Sequence, residues 1–381
     1  MALACARVNA RTKYHSLRPL TFKTIAHMTH LPAAAEILEL TAEELAAQAH
    51  LTYVSDDQPG IERQPWGRGF TYRDDNGNCL KDGDIRRRCQ ELMIPPAWQN
   101  VWICADSKGH IQATGRDEKG RKQYIYHAQW EEISQQTKFD RLIPFAECLP
   151  ALRTQVNKDL RHHKLSHQKV TALVISLLEE SLIRVGNDAY AAQNQSYGLT
   201  TMQSDHLDVN STTIHFDFIG KSGKHQEIDV HNRRLARLIK RCQELPGQEL
   251  FQYENGSNTY TPITSTDVNH YLLTHMGHHF TAKDFRTWGA TVLAAQEFIE
   301  QGQAETEPAG AKHVVAVVKA VAAALGNTPA VCRRYYIHPL LIESYLSGDL
   351  LPALATTKTA VSGLSRLETA VLNFLRQNFE A

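Results

Sequence analysis

The chain has 381 residues, of which 42% are hydrophobic and 22% charged, with Lys plus Arg and Asp plus Glu both at 41. That length exceeds the roughly 250 residues at which a single core stops growing, so two domains are expected. No apolar run is long enough to span a bilayer, and no apolar segment ending in a small-residue cleavage site follows the basic N-terminus, so neither a membrane partner nor a secretory signal is expected.

Seven cysteines, among them Cys5, Cys79, Cys104 and Cys332, form no CxxC pair and fit neither a disulfide framework nor a zinc ribbon; a reducing, cytoplasmic setting is expected. Residues 33 to 49 read as an acidic amphipathic helix with Ile37, Leu38, Leu40 and Leu45 on one stripe, inside an N-terminal extension (1–50) in which Met28 is an alternative start. From Gly60 to Tyr126 short alternating runs (VWICA at 101, HIQATG at 110, QYIYH at 123) separated by DDNGN and DSKG turns predict a small β-rich domain over 51–147. The stretch from Pro144 to Pro150 reads as a linker. Beyond it, over 151–345, helical periodicity takes over in KVTALVISLLEESLIRV (169–185), near 264–276, from 283 and from 313, interrupted by a hairpin in TIHFDFIGKSGKHQEIDV (213–230). A helical tail (346–381) closes the chain with an amphipathic segment from about Ser365. The fold class is therefore α+β, a β-rich N-terminal domain followed by a mainly α-helical domain containing a short hairpin.

Some chemical signals are discounted. FIGKSGKH lacks the upstream glycine of a phosphate loop, so no nucleotide cofactor is expected. His162, His163 and His167, like His275, His278 and His279, have no HExxH spacing or arranged carboxylate, so no metal is expected. Basic residues concentrate at 116–127, 153–169 and 232–241. In the first patch Arg121 and Lys122 adjoin Gln123, Tyr124 and Tyr126 on a strand, which suits phosphate contact with aromatic support; a solvated strand with half-buried tyrosines is the other reading.

Four separated segments carry Arg184 after a long apolar helix, Lys221 on the hairpin turn, Arg286 in KDFRTWG, and Tyr336 in LGNTPAVCRRYYIHP. In that order they resemble the active site shared by type IB DNA topoisomerases and tyrosine recombinases, and GRDEKGRKQYIYH resembles the DNA-gripping N-terminal module of the small poxvirus-like and bacterial topoisomerases. The resemblance spans about residues 60–345. It implies a monomeric clamp on double-stranded DNA, nucleoid-associated in a bacterium, that relaxes supercoils through a 3′-phosphotyrosine with no ATP or metal. In this pattern Arg184 and Arg286 donate to the nonbridging phosphate oxygens, since guanidinium groups give paired hydrogen bonds without losing charge. Lys221 protonates the departing 5′-oxygen, with Lys283 as an auxiliary. The nucleophile falls nine residues after the position held by His in the family, here Asn327, which selects Tyr336 over Tyr335. Asparagine still donates a hydrogen bond but cannot carry charge. A tyrosine recombinase is the nearest rival, although KDFR replaces its HxxR pattern; a non-catalytic DNA-binding clamp is the rival of another class.

Overall fold

The computed structural model describes residues 40–256 and 259–379. Met28 and residues 33–39 of the expected N-terminal helix lie outside them. The remainder of that helix is α1 (Ala42–Gln48), which starts at Thr41 with a reciprocal capping box to Glu44. Strands β1 (Ile61–Trp66) and β2 (Gly69–Arg73) follow, then helix α2 (Gly83–Glu91) and strands β3 (Gln99–Ile103), β4 (Ile111–Arg116) and β5 (Lys122–Tyr126). The five strands form one antiparallel sheet in the order β2-β1-β3-β4-β5. Its small core, including Ile61, Tyr72, Cys89, Val101, Ile103 and Ala113, is separate from the main one.

Helices then take over: α3 (Ala128–Asp140), α4 (Leu142–Asp159), α5 (His167–Ser181) and α6 (Asp188–Asn194). The linker expected at Pro144–Pro150 is therefore corrected, because it lies inside α4. Pro144 falls in the first turn, where no backbone donor is required. Pro150 is accommodated mid-helix, and its carbonyl accepts from Thr154 Oγ1 at 2.8 Å.

A second sheet pairs β6 (Leu207–Val209), β7 (Thr213–Gly220) and β8 (Lys224–His231), with β7 and β8 forming the expected hairpin in register from Thr213↔His231 to Gly220↔Lys224. Next come α7 (Arg233–Gln243), the short pair β9 (Gln252–Glu254) and β10 (Tyr260–Pro262), and helices α8 (Ser265–Met276), α9 (Ala282–Gln301), α10 (Glu307–Ala324), α11 (Pro329–Tyr335), α12 (Pro339–Ser347), α13 (Leu350–Ala355) and α14 (Arg366–Phe379). The long apolar run at 169–185 becomes α5 because nearly every side chain on it is buried against α4, α8 and α9. The C-terminal α14 packs onto α4 and α9, with Arg153 paired to Glu368 at 2.6 Å. The chain is thus mixed α+β, with its sheets small and its C-terminal part helical. No single helix among the described residues is long and apolar enough to cross a membrane.

Candidate active site

Arg184 leaves α5 through Leu182, whose backbone is left-handed (φ 54°). A non-glycine residue occupies that region at a cost, and two contacts hold it there. The Leu182 carbonyl accepts a hydrogen bond from Arg286 Nη1. Its side chain packs on Gly289, where a Cβ would lie 2.6 Å from Leu182 Cδ2. Close approach thus explains the glycine of KDFRTWG. Helix α9 opens at Thr281, whose backbone N–H donates to Asp284 Oδ2 at 2.8 Å. One turn in, Arg286 points inward and is 4% exposed; Nη2 donates to the Leu325 carbonyl at 2.9 Å, while Nε is buried without a partner. Burial first, and the Arg184 charge second, lower its pKa to about 10, so it remains cationic near neutrality.

The sequence Gly-Asn-Thr-Pro reads as a set of local instructions. Gly326 (φ 61°) ends α10 in a Schellman motif, with Gly326 N–H donating to the Ala323 carbonyl at 3.0 Å and Asn327 N–H to the Ala322 carbonyl at 2.9 Å. Thr328 caps α11 and Pro329 occupies its first turn. Asn327 is held between the two helices: its Oδ1 accepts from Arg184 Nη2, and its Nδ2 is buried with no partner. The C-cap of α11 is Tyr336, whose carbonyl accepts from Thr291 Oγ1 at 3.3 Å.

Four residues proposed from sequence therefore meet. The Arg286 guanidinium carbon lies 5.3 Å from the centroid of the Tyr336 ring. Burial, which by itself would raise the pKa of the phenol, is outweighed by the Arg286 and Arg184 charges, and Tyr336 is held below its ordinary value. Lys221 starts the hairpin turn, followed by Ser222 and Gly223 with φ of 68° and 71°. It is exposed and lines one small cleft with Arg184 and Arg286. Lys283 is exposed in the first turn of α9, and its charge also acts on Tyr336.

Of the N-terminal residues, Lys122 to Tyr126 lie on β5 and Arg121 immediately precedes it. Tyr124 and Tyr126 are partly exposed and stack on each other, 5.8 Å between centroids at 7°. Arg121 and Lys122 carry surface ion pairs, to Asp117 and Asp56, each at 2.7 Å, and Gln123 Nε2 donates to Asp117 Oδ2 at 3.0 Å. Among the described residues neither histidine cluster gathers three possible metal-ligating groups, and His167 binds Asp267 at 3.0 Å. Among the described residues Asp217, His225 and Glu227 gather closely enough to share a cation, but all are exposed on the outer face of the β7–β8 hairpin and His225 already bonds Asp217.

Sequence reasoning passed over one residue. Lys138 of α3 places Nζ 5.3 Å from the Tyr336 centroid, 5.9 Å from that of Tyr335 and 4.8 Å from that of Phe139. That nitrogen is buried and makes no hydrogen bond.

Comparison with known proteins agrees with this geometry. Residues 127–345 match the family described as the catalytic core of eukaryotic DNA topoisomerase I, and residues 69–117 match the N-terminal domain of bacterial DNA topoisomerase IB. The DNA topoisomerase 1B of Acanthamoeba polyphaga mimivirus is 33% identical over 294 residues, covering 75% of this chain and 87% of the viral protein. The chain belongs to the type IB DNA topoisomerase family. The vaccinia virus (strain Copenhagen) DNA topoisomerase 1B is 25% identical over 317 residues, 81% of this chain and 88% of that protein. DNA topoisomerase 1 of Mycosarcoma maydis is 24% identical over 231 residues, 54% of this chain but 22% of the fungal protein. Membership makes the chain an enzyme of the isomerase class, and the core match begins at the residue before α3, so α3 and α4 belong with the catalytic part.

Proposed function

We propose that this topoisomerase relaxes supercoiled double-stranded DNA as a monomeric clamp in the cytoplasm, by transient cleavage of one strand through a 3′-phosphotyrosine at Tyr336. The observation that carries the reading is the convergence of Arg184, Arg286 and Asn327 on the ring-bearing end of α11. As the phenol attacks, charge accumulates on the nonbridging oxygens. Arg184 and Arg286 supply fixed positive charge there, and the two buried donors without partners, Arg286 Nε and Asn327 Nδ2, offer unspent hydrogen bonds to it. Those cations also reduce the cost of ionising Tyr336. Lys221, on a turn that projects from the hairpin, protonates the departing 5′-oxygen, and Lys283 assists. The bond energy is conserved in the phosphotyrosine, so the free strand rotates and religation proceeds without ATP. The guanidinium groups supply the positive charge for the chemistry without a metal ion. Residues Arg121 to Tyr126 grip the opposite side of the duplex, after Arg121 and Lys122 exchange their carboxylate partners for phosphates.

The test is relaxation of supercoiled plasmid with EDTA and without ATP. Tyr336→Phe is expected to abolish relaxation and the covalent adduct while leaving noncovalent DNA binding nearly intact, and Tyr335→Phe is expected to retain activity. Relaxation by Tyr336→Phe overturns the assignment.

A further inference from the structure

Tyr336 must lose a proton as it attacks, and neither arginine can take it, because a guanidinium stays protonated near neutrality. An acceptor needs a free lone pair near the phenol and a reason to be neutral. We propose that Lys138 of α3 takes the phenolic proton of Tyr336, through one water molecule, during cleavage and returns it during religation. This rests on the reading of Tyr336 as nucleophile.

Three observations converge on Lys138. Its Nζ lies against the Tyr336 and Tyr335 rings, as given above, and is a buried nitrogen without a hydrogen-bond partner. Buried amines without partners are costly when charged, so the environment favours the neutral form. Burial, reinforced by the nearby Lys283, lowers its pKa to about 7, with Asp284 opposing. Charged groups surround Lys138 on three elements. From α9 come Lys283, Asp284 and Arg286. From α11 comes Arg334, which is engaged with Glu131 of α3 at 2.6 Å. On α3 itself Asp140 is bound by Gln136 at 2.8 Å. None of them forms an ion pair with Lys138 among the described residues. An amine of this kind is matched to accept a proton near neutral pH.

The step balances. In cleavage the Tyr336 oxygen bonds phosphorus, its proton passes to the Lys138 amine, the bond from phosphorus to the 5′-oxygen breaks, and Lys221 protonates that oxygen. In religation the 5′-hydroxyl attacks, Lys221 recovers its proton, and the Lys138 ammonium reprotonates the departing phenolate.

The test is single-turnover cleavage at saturating enzyme from pH 5.5 to 9. In the wild-type enzyme the rate is expected to rise with pH through a limb at or above about 7, since phosphate bound nearby favours the ammonium form. Lys138→Met and Lys138→Arg are both expected to be slower by roughly 10² and to lose that limb, because neither a thioether nor a guanidinium accepts a proton near neutral pH. Asp140→Asn, a control because Asp140 also titrates at about 7, is expected to keep the limb. A near-normal rate and limb in Lys138→Arg overturns the proposal, as does loss of the limb in Asp140→Asn alone. Should the variants fold poorly, ¹⁵N NMR of lysine side chains in the wild-type enzyme reads the amine directly: one resonance titrating near 7, moved by Tyr336→Phe, supports the role, and no lysine titrating below 9 refutes it. A wild-type adduct at Tyr336 with an unchanged limb in both variants removes Lys138 alone. No wild-type adduct at Tyr336 removes the nucleophile assignment and this inference with it.

Discussion

Arg286 joins the stability of the catalytic lobe to its chemistry, and Arg286→Lys separates the two. The guanidinium is 4% exposed and spans two segments, donating to the Leu182 carbonyl at the end of α5 and the Leu325 carbonyl at the end of α10. A lysine keeps the charge but has one nitrogen, which cannot reproduce the rigid fork. At least one buried carbonyl then loses its donor, at a cost of about 1–3 kcal/mol. For a unit the size of the catalytic core, roughly 2–4 °C of melting temperature per kcal/mol converts a central 2 kcal/mol into a fall of about 4–8 °C. The loss in chemistry is larger in proportion, because the planar donors aimed at developing charge are gone; cleavage is expected to slow by roughly 10²–10³. Thermal melting and single-turnover cleavage at saturating enzyme measure the two effects, with noncovalent DNA binding as a control. If Arg286→Lys melts within a degree of the wild type and cleaves within threefold of it, the fork does neither job and the reasoning fails.

Three further outcomes follow from particular contacts. Asp140 is buried, and burial raises its pKa to about 7 against the opposing Gln136 hydrogen bond, so the fold favours its protonated form. The associated stability is full below its ordinary pKa of 3.8 and is lost as pH rises through about 7, by up to about 4 kcal/mol. Asp140→Asn should therefore raise the melting temperature at pH 8.5 relative to the wild type, and an equal pH dependence in both proteins would count against this. Asn327→Ala removes the acceptor that holds Arg184 together with a buried free donor, and should slow cleavage by roughly 10² without weakening binding; a loss confined to binding would contradict that. Lys122 leaves Asp56 to reach a phosphate, so Lys122→Ala should flatten the dependence of log affinity on log salt by up to about one unit, while Asp56→Asn should tighten binding at fixed salt; an unchanged slope in Lys122→Ala would show that Lys122 does not reach phosphate.

How much of this was legible in the sequence depended on whether the signal was local. The hairpin carrying Lys221 was, because TIHFDFIG alternates and GKSG supplies the left-handed residues of the turn. The choice of Tyr336 rested instead on the family's nine-residue spacing after Asn327; what is local there is the start of α11, because Gly-Asn-Thr-Pro fixes a helix end, a cap and a helix start within four residues. Helix α4 was hidden by Pro144 and Pro150, whose usual meaning is a break. Lys138 was hidden differently: in QQTKFD it reads as a solvated lysine, and only the fold brings Tyr335 and Tyr336 onto it from the far end of the chain. The ion pair of Lys122 was equally obscure, since it finds Asp56 across 66 positions, whereas Arg121 pairs with Asp117 only four positions away.

If Tyr336 becomes joined to a 3′-phosphate, that bond can be trapped. A duplex with sulfur at the scissile 5′-bridging position gives a thiolate leaving group that religates poorly, so the covalent enzyme accumulates for digestion and peptide mapping. The expected product is a single nucleotide-bearing peptide modified at Tyr336, joined to the 3′-phosphate end of the cleaved strand. Modification at Tyr335, attachment to a 5′-phosphate, or no covalent product at saturating enzyme would contradict it.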